Sequence, residues 1–284
     1  MSLIIIRMQK RIFTVDFEFD SVLVNKENLN ISQRESALEA NLDKMFSILE
    51  SANTNPSFFI LASTAERYPS IVKNIAERYD IGTHSYNHTL VNTQSIKEFS
   101  QDLKKSIDII EQITGKKVNK YRSPRFSISK PEYLEQLLEN GIEIDCSLTP
   151  TNHFYGQKTT NLKVPHRIEL RNGIIKEFPI TTFNFFGKSI GFTGGGYFRL
   201  FPYSIIKQTT NKSPYTMAYI HLSDIDSSKT KVEGLPYFVQ FRRLAGVKGA
   251  EEKLKKWLND FDFVDVNTAN EKINWDKQPI IKLY

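Results

Sequence analysis

Between residues 12 and 148, short apolar runs alternate with longer stretches in which apolar side chains recur every three to four positions, and this alternation most narrows the choice of fold. Residues 12–19 read as a first strand. Over 35–52, Leu38, Leu42, Met45, Phe46 and Leu49 fall on one face of a helix. Phe58, Phe59, Ile60 and Leu61 make a buried strand, 69–78 a second helix, and Ile81 leads into a histidine-bearing segment. Phe99, Leu103, Ile107 and Ile110 then stripe a helix over 96–113 that Gly115 stops. A short strand at 119–122, a helix at 131–139 opened by Pro131 and closed by Gly141, and a strand at 142–148 continue the series. Helices between successive strands return the chain to the same end of the sheet. The strands therefore run parallel, and the class is α/β, as an open sheet or a barrel.

The alternation lapses from about 149 to 201, inside a loop-rich insertion that reaches about 216 and is crowded with Gly, Asn, Thr and aromatic residues. Long ordered loops on a rigid scaffold tend to form substrate surfaces. Residues 217–220 resume a strand and deliver His221, 250–258 form a last amphipathic helix, and 263–266 a last strand. No linker or internal repeat divides the 284 residues, so one domain over 1–284 is expected.

Charge and cysteine content narrow the partners. The net charge is +6, yet its lysines are dispersed, as at Lys104-Lys105, Lys116-Lys117 and Lys255-Lys256, and no reading motif accompanies them. Nucleic acid is therefore not an expected partner. No apolar run reaches membrane-spanning length. The opening Leu3-Ile4-Ile5-Ile6 is too short for the core of a signal peptide and is followed, not preceded, by basic residues, so a cytoplasmic location is expected. Cys146 is the only cysteine and reads as a small core residue suited to a reducing compartment.

Two clusters carry chemistry. Asp16 and Glu18 stand two apart, so a strand points both to one side and Phe17 to the other. His84 and His88 stand four apart, a spacing that one helical turn brings to a shared face. Two imidazoles and one carboxylate make three protein ligands and leave positions for water and substrate, the pattern of a catalytic metal site rather than a structural one. The second carboxylate is then spare for general-base work. An isolated H-x-x-x-H is most often an accident of a surface helix; here both clusters fall at strand ends, where α/β folds keep their chemistry.

Taken in order, these segments resemble the polysaccharide deacetylase family, carbohydrate esterase family 4, over about residues 11–266. Thr14-Val15-Asp16-Phe17-Glu18 is similar to its first motif, Gly82-Thr83-His84-Ser85-Tyr86-Asn87-His88 to its second, and residues 121–126, 144–148 and 219–221 to its third, fourth and fifth. Within the family, Arg122-Ser123-Pro124-Arg125-Phe126-Ser127, Gly194-Gly195-Gly196-Tyr197-Phe198-Arg199-Leu200 and Pro150 with His153-Phe154-Tyr155-Gly156 resemble a subgroup met in bacterial exopolysaccharide and surface-glycan gene clusters. The resemblance implies a single distorted (β/α)7 barrel that removes an acetyl group from an N-acetylated sugar.

It also implies roles. Asp16 would be the base. Glu18, His84 and His88 would hold a divalent metal, zinc first, with Co2+, Ni2+, Fe2+ or Mn2+ as alternatives. The family's usual metal aspartate stands where this chain has Phe17, and Glu18 is its nearest replacement. Arg122 would grip Asp16 in a bidentate pair, the backbone N–H of Arg125 would help hold the oxyanion, and His221 would protonate the leaving amine. Asp145 would fix the tautomer of His221. Tyr197, Arg199, His153 and Tyr155 are candidate substrate contacts, aromatic faces suiting sugar rings and arginine an anionic group. Asp224 and Asp226, close behind His221, are open to a supporting or a turn-forming role, and His166 has none assigned. The implied partner is an N-acetylated sugar or glycan, nucleotide-linked, lipid-linked or nascent, for a capsule, O-antigen or exopolysaccharide. Two rivals remain: a hydrolase of another non-peptide C–N bond, and a non-catalytic glycan-binding protein that lost its metal through Phe17.

Overall fold

A computed structural model of the chain describes residues 11–18, 31–152, 159–185 and 188–284. Its strands are β1 (Arg11–Phe17), β2 (Ser57–Ile60), β3 (Asp80–Thr83), β4 (Lys120–Tyr121), β5 (Ile144–Asp145), β6 (His166–Leu170), β7 (Gly173–Glu177), β8 (Thr182–Phe185), β9 (Lys188–Gly191), β10 (Met217–His221), β11 (Phe263–Val264) and β12 (Ile280–Lys282). Burial along β1 follows the two-residue period of a strand covered on both sides. Phe13, Val15 and Phe17 pack into the outer core beneath the helices, while Ile12 joins a smaller inner core and Thr14 and Asp16 meet Arg122 on that same inner side.

The order β10-β1-β2-β3-β4-β5-β7 is parallel throughout. This is the mostly parallel α/β sheet that the strand–helix alternation requires. Beyond β7 the sheet continues through antiparallel β6 to β12, and β11 pairs with the start of β1. Among the described residues, no ladder joins β7 to β10. Instead Tyr215 Oη donates to the Pro179 carbonyl at 2.9 Å and the Met217 N–H donates to Thr181 Oγ1 at 2.6 Å, so side chains lace the series into a distorted barrel where backbone pairing lapses. Cys146 sits in the inner core with Phe178, Tyr215 and Met217.

Helices cover the outer face by the apolar stripes read above. The helix Ile31–Ser51 buries Leu38, Leu42, Met45 and Leu49. The helix Ile96–Thr114 buries Phe99, Leu103, Ile107 and Ile110. It opens with a reciprocal capping box between Ser95 and Glu98 and closes at Gly115, whose φ of 67° suits a residue without Cβ. Among the described residues, no helix is long and apolar enough to cross a membrane.

Two expectations need correction. The strands expected at 119–122 and 142–148 are only Lys120–Tyr121 and Ile144–Asp145: one further backbone bond follows each, Arg122 N–H to the Thr83 carbonyl and Cys146 N–H to the Tyr121 carbonyl, and then the Ser123 N–H turns away to Ser147 Oγ. The insertion at 149–216 is also less irregular than its composition suggested. It holds the β6–β7 hairpin, with β7 a barrel strand, and the separate hairpin β8–β9. Gly173 and the charged pair Lys176-Glu177 mask the strand pattern of β7.

Candidate active site

The C-terminal ends of β1, β3, β4 and β10 converge on one cluster. Glu18, the residue after β1, faces two rings through a single oxygen: Oε1 lies 3.0 Å from His84 Nε2 and 2.9 Å from His88 Nε2. All three donor atoms lie within 4.8 Å of one another. His84 Nδ1 faces the Arg122 carbonyl at 2.8 Å; a carbonyl can only accept, so Nδ1 carries the proton and the lone pair of Nε2 turns toward Glu18 and His88. Burial works to raise Glu18, but the charge of His221 and the close contacts with His84 and His88 outweigh it and hold the carboxyl well below its usual range. An ionised carboxylate beside two imidazole nitrogens is a donor set that fits a zinc-type divalent cation.

The histidines meet differently from the expected helical turn. Residues 84–88 form a bend in which Ser85 and His88 adopt positive φ, 68° and 59°, uncommon for residues with a Cβ and concentrated at functional sites. Asp102, on the helix Ile96–Thr114, holds this bend by accepting from the Tyr86 N–H at 3.1 Å. That role was not visible in the sequence, where Asp102 reads as one more helix-surface acid.

Asp16 and Arg122 form a buried pair. Arg122 NH1 donates to Asp16 Oδ1 at 2.7 Å and to Thr14 Oγ1 at 2.6 Å, its Nε binds the Cys146 carbonyl, and its plane lies over Phe59 with 4.3 Å to the ring centroid. The grip on Asp16 is through one nitrogen, correcting the bidentate pair expected, because NH1 also serves Thr14, Nε goes to the Cys146 carbonyl and NH2 to the Met217 sulfur. Burial opposes the guanidinium charge, but Asp16 outweighs it and raises Arg122 further. Asp16 Oδ2 is left facing His221 Nε2 at 3.9 Å, and His221 Nε2 lies 3.7 Å from Glu18 Oε1.

The partner of His221 is Asp224, not Asp145. Asp224 Oδ2 accepts from the His221 backbone N–H at 2.9 Å and faces Nδ1 at 3.1 Å, a capping box around the 3-10 turn Leu222–Asp224. The i to i+3 spacing of His221 and Asp224 was the signal available in the sequence. Burial alone would lower His221; the bond to Asp224 and the charges of Glu18, Asp224 and Asp16 outweigh it and lift the ring to about 9. Asp224 in turn is held at about 2 against its own burial, by His221 and Arg199.

Asp145 belongs elsewhere. It is fully buried, accepts from Ser147 Oγ, and is paired with Glu177 at the end of β7, whose Oε1 accepts from the Leu148 N–H. Burial lifts Asp145 to about 6, and burial plus the negative charge of Asp145 pushes Glu177 well above its ordinary value, so the two carboxyls share a proton.

Arg199 is also corrected, from substrate contact to brace. It is buried, with Nε 3.0 Å from Asp224 Oδ1, NH1 donating to the carbonyls of Arg243 and Ala245, and NH2 to that of Arg242. Tyr197 is exposed and stacked on Phe201. Arg125 follows Pro124 in the left-handed region, φ 51°, within the bend after β4. His153 and Tyr155 lie outside the described residues. His166 is buried, with Nδ1 on the Val164 carbonyl, and burial lowers it. Asp226 accepts from the Ser228 N–H, the turn-forming role.

Fold and donor set together define an α/β barrel protein with a Glu18-His84-His88 cluster that could hold a cation at the C-terminal ends of its strands, flanked by a buried aspartate and a histidine. Residues 35–144 match the polysaccharide deacetylase family model, and residues 146–271 match a domain of unknown function, DUF3473. Residues 35–144 thus carry a polysaccharide deacetylase domain of the carbohydrate esterase 4 type, followed by the DUF3473 segment. It is 32% identical over 101 residues to the peptidoglycan-N-acetylglucosamine deacetylase of Bacillus cereus, a match covering 35% of this chain and 34% of that protein. To the peptidoglycan-N-acetylmuramic acid deacetylase PdaC of Bacillus subtilis it is 29% identical over 86 residues, 30% of this chain and 18% of that protein. The similarity thus spans about a third or less of each of these relatives. Among solved structures, a candidate polysaccharide deacetylase of Mycobacterium smegmatis shares the fold with a TM-score of 0.63 at 15% identity, covering 98% of this chain and 95% of that one. A CE4 family pseudoenzyme from Bacillus anthracis aligns with a TM-score of 0.54 at 12% identity, covering 96% of this chain and 69% of that one.

Proposed function

We propose that this protein is a metal-dependent hydrolase that removes the acetyl group from an N-acetylated sugar, inside the cell, on a nucleotide- or lipid-linked precursor or nascent glycan of a bacterial surface polysaccharide. The observation that carries the proposal is the convergence of Glu18, His84 and His88 with Asp16 and His221 beside them. Glu18, His84 and His88 would hold the cation, zinc first; when bound, it supplies Lewis-acid polarisation of the acetyl carbonyl and a more acidic water.

The chain's own groups account for the proton traffic. Asp16 Oδ1 is occupied by Arg122, which turns Oδ2 to the site; Oδ2 takes a proton from the attacking water as its oxygen bonds to the acetyl carbon. His221, protonated through its bond to Asp224, gives the proton on Nε2 to the sugar nitrogen as the C–N bond breaks, leaving acetate and the free amine. The left-handed bend at Arg125 is suited to presenting a backbone N–H to the developing oxyanion.

Phe17 favours the rival non-catalytic reading, and the likeness to a pseudoenzyme gives it weight. Against it, the Phe17 side chain belongs to the outer core while Glu18 lies beside His84 and His88 on the inner side, which supports its taking the ligand role. Metal content with turnover on N-acetylated sugars separates the readings. Wild-type protein should hold near-stoichiometric transition metal, Glu18→Gln should lose it, and Asp16→Asn should keep it while turnover falls by about 10²-fold or more. Metal-free wild-type protein after reconstitution would leave the glycan-binding reading; loss of metal in Asp16→Asn would mean that the two acids have exchanged roles.

A further inference from the structure

The helix Tyr237–Leu244 is inside-out. None of its residues is buried, and its apolar side chains point to solvent: Tyr237 is 87% exposed, Phe238 63%, Val239 39% and Phe241 48%. Polar groups do the anchoring instead. Gln240 Oε1 accepts from the Val232 N–H and its Nε2 donates to the Val232 carbonyl, while the buried Arg199 guanidinium holds the carbonyls of Arg242, Arg243 and Ala245 at the C-terminal end. Lys253 Nζ, bound to the carbonyls of Phe198, Arg199 and Phe201, fixes the backing segment. The helix is therefore held firmly from behind with an apolar front, the reverse of the usual surface helix.

We propose that this helix docks the protein on an anionic phospholipid surface. Tyr237, Phe238 and Val239 are consecutive, so they step about 100° apart around the helix axis and cannot all press on one flat partner. A fluid apolar medium that closes around the end of the helix accommodates all of them, and aromatic rings favour the boundary between headgroups and acyl chains. Charge selects the kind of surface: over residues 227–249, which carry the helix, Lys231, Arg242 and Lys248 are exposed, Arg242 lying over the Phe238 ring, against one exposed acid, Glu233. Cations beside inserted aromatics match anionic headgroups.

Vesicle sedimentation tests this without any assay of hydrolysis, so its outcome is independent of the proposed activity. Full-length protein should co-sediment with vesicles of phosphatidylcholine containing about 30% phosphatidylglycerol, less with pure phosphatidylcholine, and less again at about 0.5 M salt. Tyr237→Ser with Phe238→Ser and Phe241→Ser should reduce partitioning by roughly tenfold or more. Because all three side chains are exposed, this variant should keep its melting temperature, which separates lost docking from lost folding. Absence of wild-type binding to the anionic vesicles would overturn the proposal, as would equal binding by the triple variant. A wild-type dimer that the triple substitution converts to a monomer, with no vesicle binding, would assign the face to self-association instead.

Discussion

Asp16 uses its two oxygens differently, one pinned by Arg122 and one turned to His221, and His221 likewise uses one nitrogen for Asp224 and one for the site. Each group proposed to react is thus oriented by a buried neighbour. Asp224→Asn keeps the shape but removes the charge that holds His221 protonated, so kcat on an acetamide substrate should fall by about 10²-fold with metal content and KM little changed. Unchanged kcat would exclude Asp224 as the group that keeps His221 protonated. Most of this site was legible in the sequence, because Asp16, Glu18, His84, His88, Arg122 and His221 lie at strand ends in recognisable spacings. What was not legible follows from contacts that spacing does not encode. Asp145 was given to His221, whereas Asp145 is paired with Glu177 from the unrecognised strand β7. Arg199 looked like a sugar contact, and its burial depends on where a helix some forty residues later comes to rest.

The elements that support the site are joined at close backbone contacts. Gly246 adopts φ of 73°, and a Cβ there would lie 2.3 Å from the Arg199 carbonyl oxygen. Gly246→Ala must therefore displace Arg199 or the end of the helix Tyr237–Leu244, and both lead to Asp224. It should lower the melting temperature and kcat together. Gly115→Ala, also at positive φ but with nothing within 4 Å of its Cβ, should cost only about 1 kcal/mol and leave kcat alone. Equal effects of the two substitutions on kcat would show that Gly246 matters only for its backbone conformation. Helices were the most legible elements, since stripes such as Phe99, Leu103, Ile107 and Ile110 depend on local period alone. Short barrel strands were the least: β4 and β5 keep two residues each in the ladder, and β7 carries a buried glutamate that no alternating pattern would suggest.

At the scale of the whole molecule, stability should carry the signature of the Asp145–Glu177 pair. Asp145 in the folded protein titrates at about 6, above its ordinary 3.8, and Glu177 is raised further. The folded state therefore binds more protons than the unfolded chain from about pH 4 upward, so stability is fullest below that range and declines as pH rises through about 6 and beyond. Glu177→Gln removes one charge while keeping an acceptor for Leu148 and adding a donor for Asp145. It should melt higher than wild type at pH 8, by roughly 2–4 °C for each kcal/mol gained, and the gap should close toward pH 4. A gap independent of pH would exclude the shared proton. One further property follows from β1 and β10: Asp16 and His221 are register partners on adjacent parallel strands. The span between them is dictated by the strand pitch of about 4.8 Å and can hardly be retuned by selection. Under the proposed function, adaptation to a new sugar would have to be sought in the rim around the barrel mouth, and grafting other rims onto this sheet is the natural route to altered specificity.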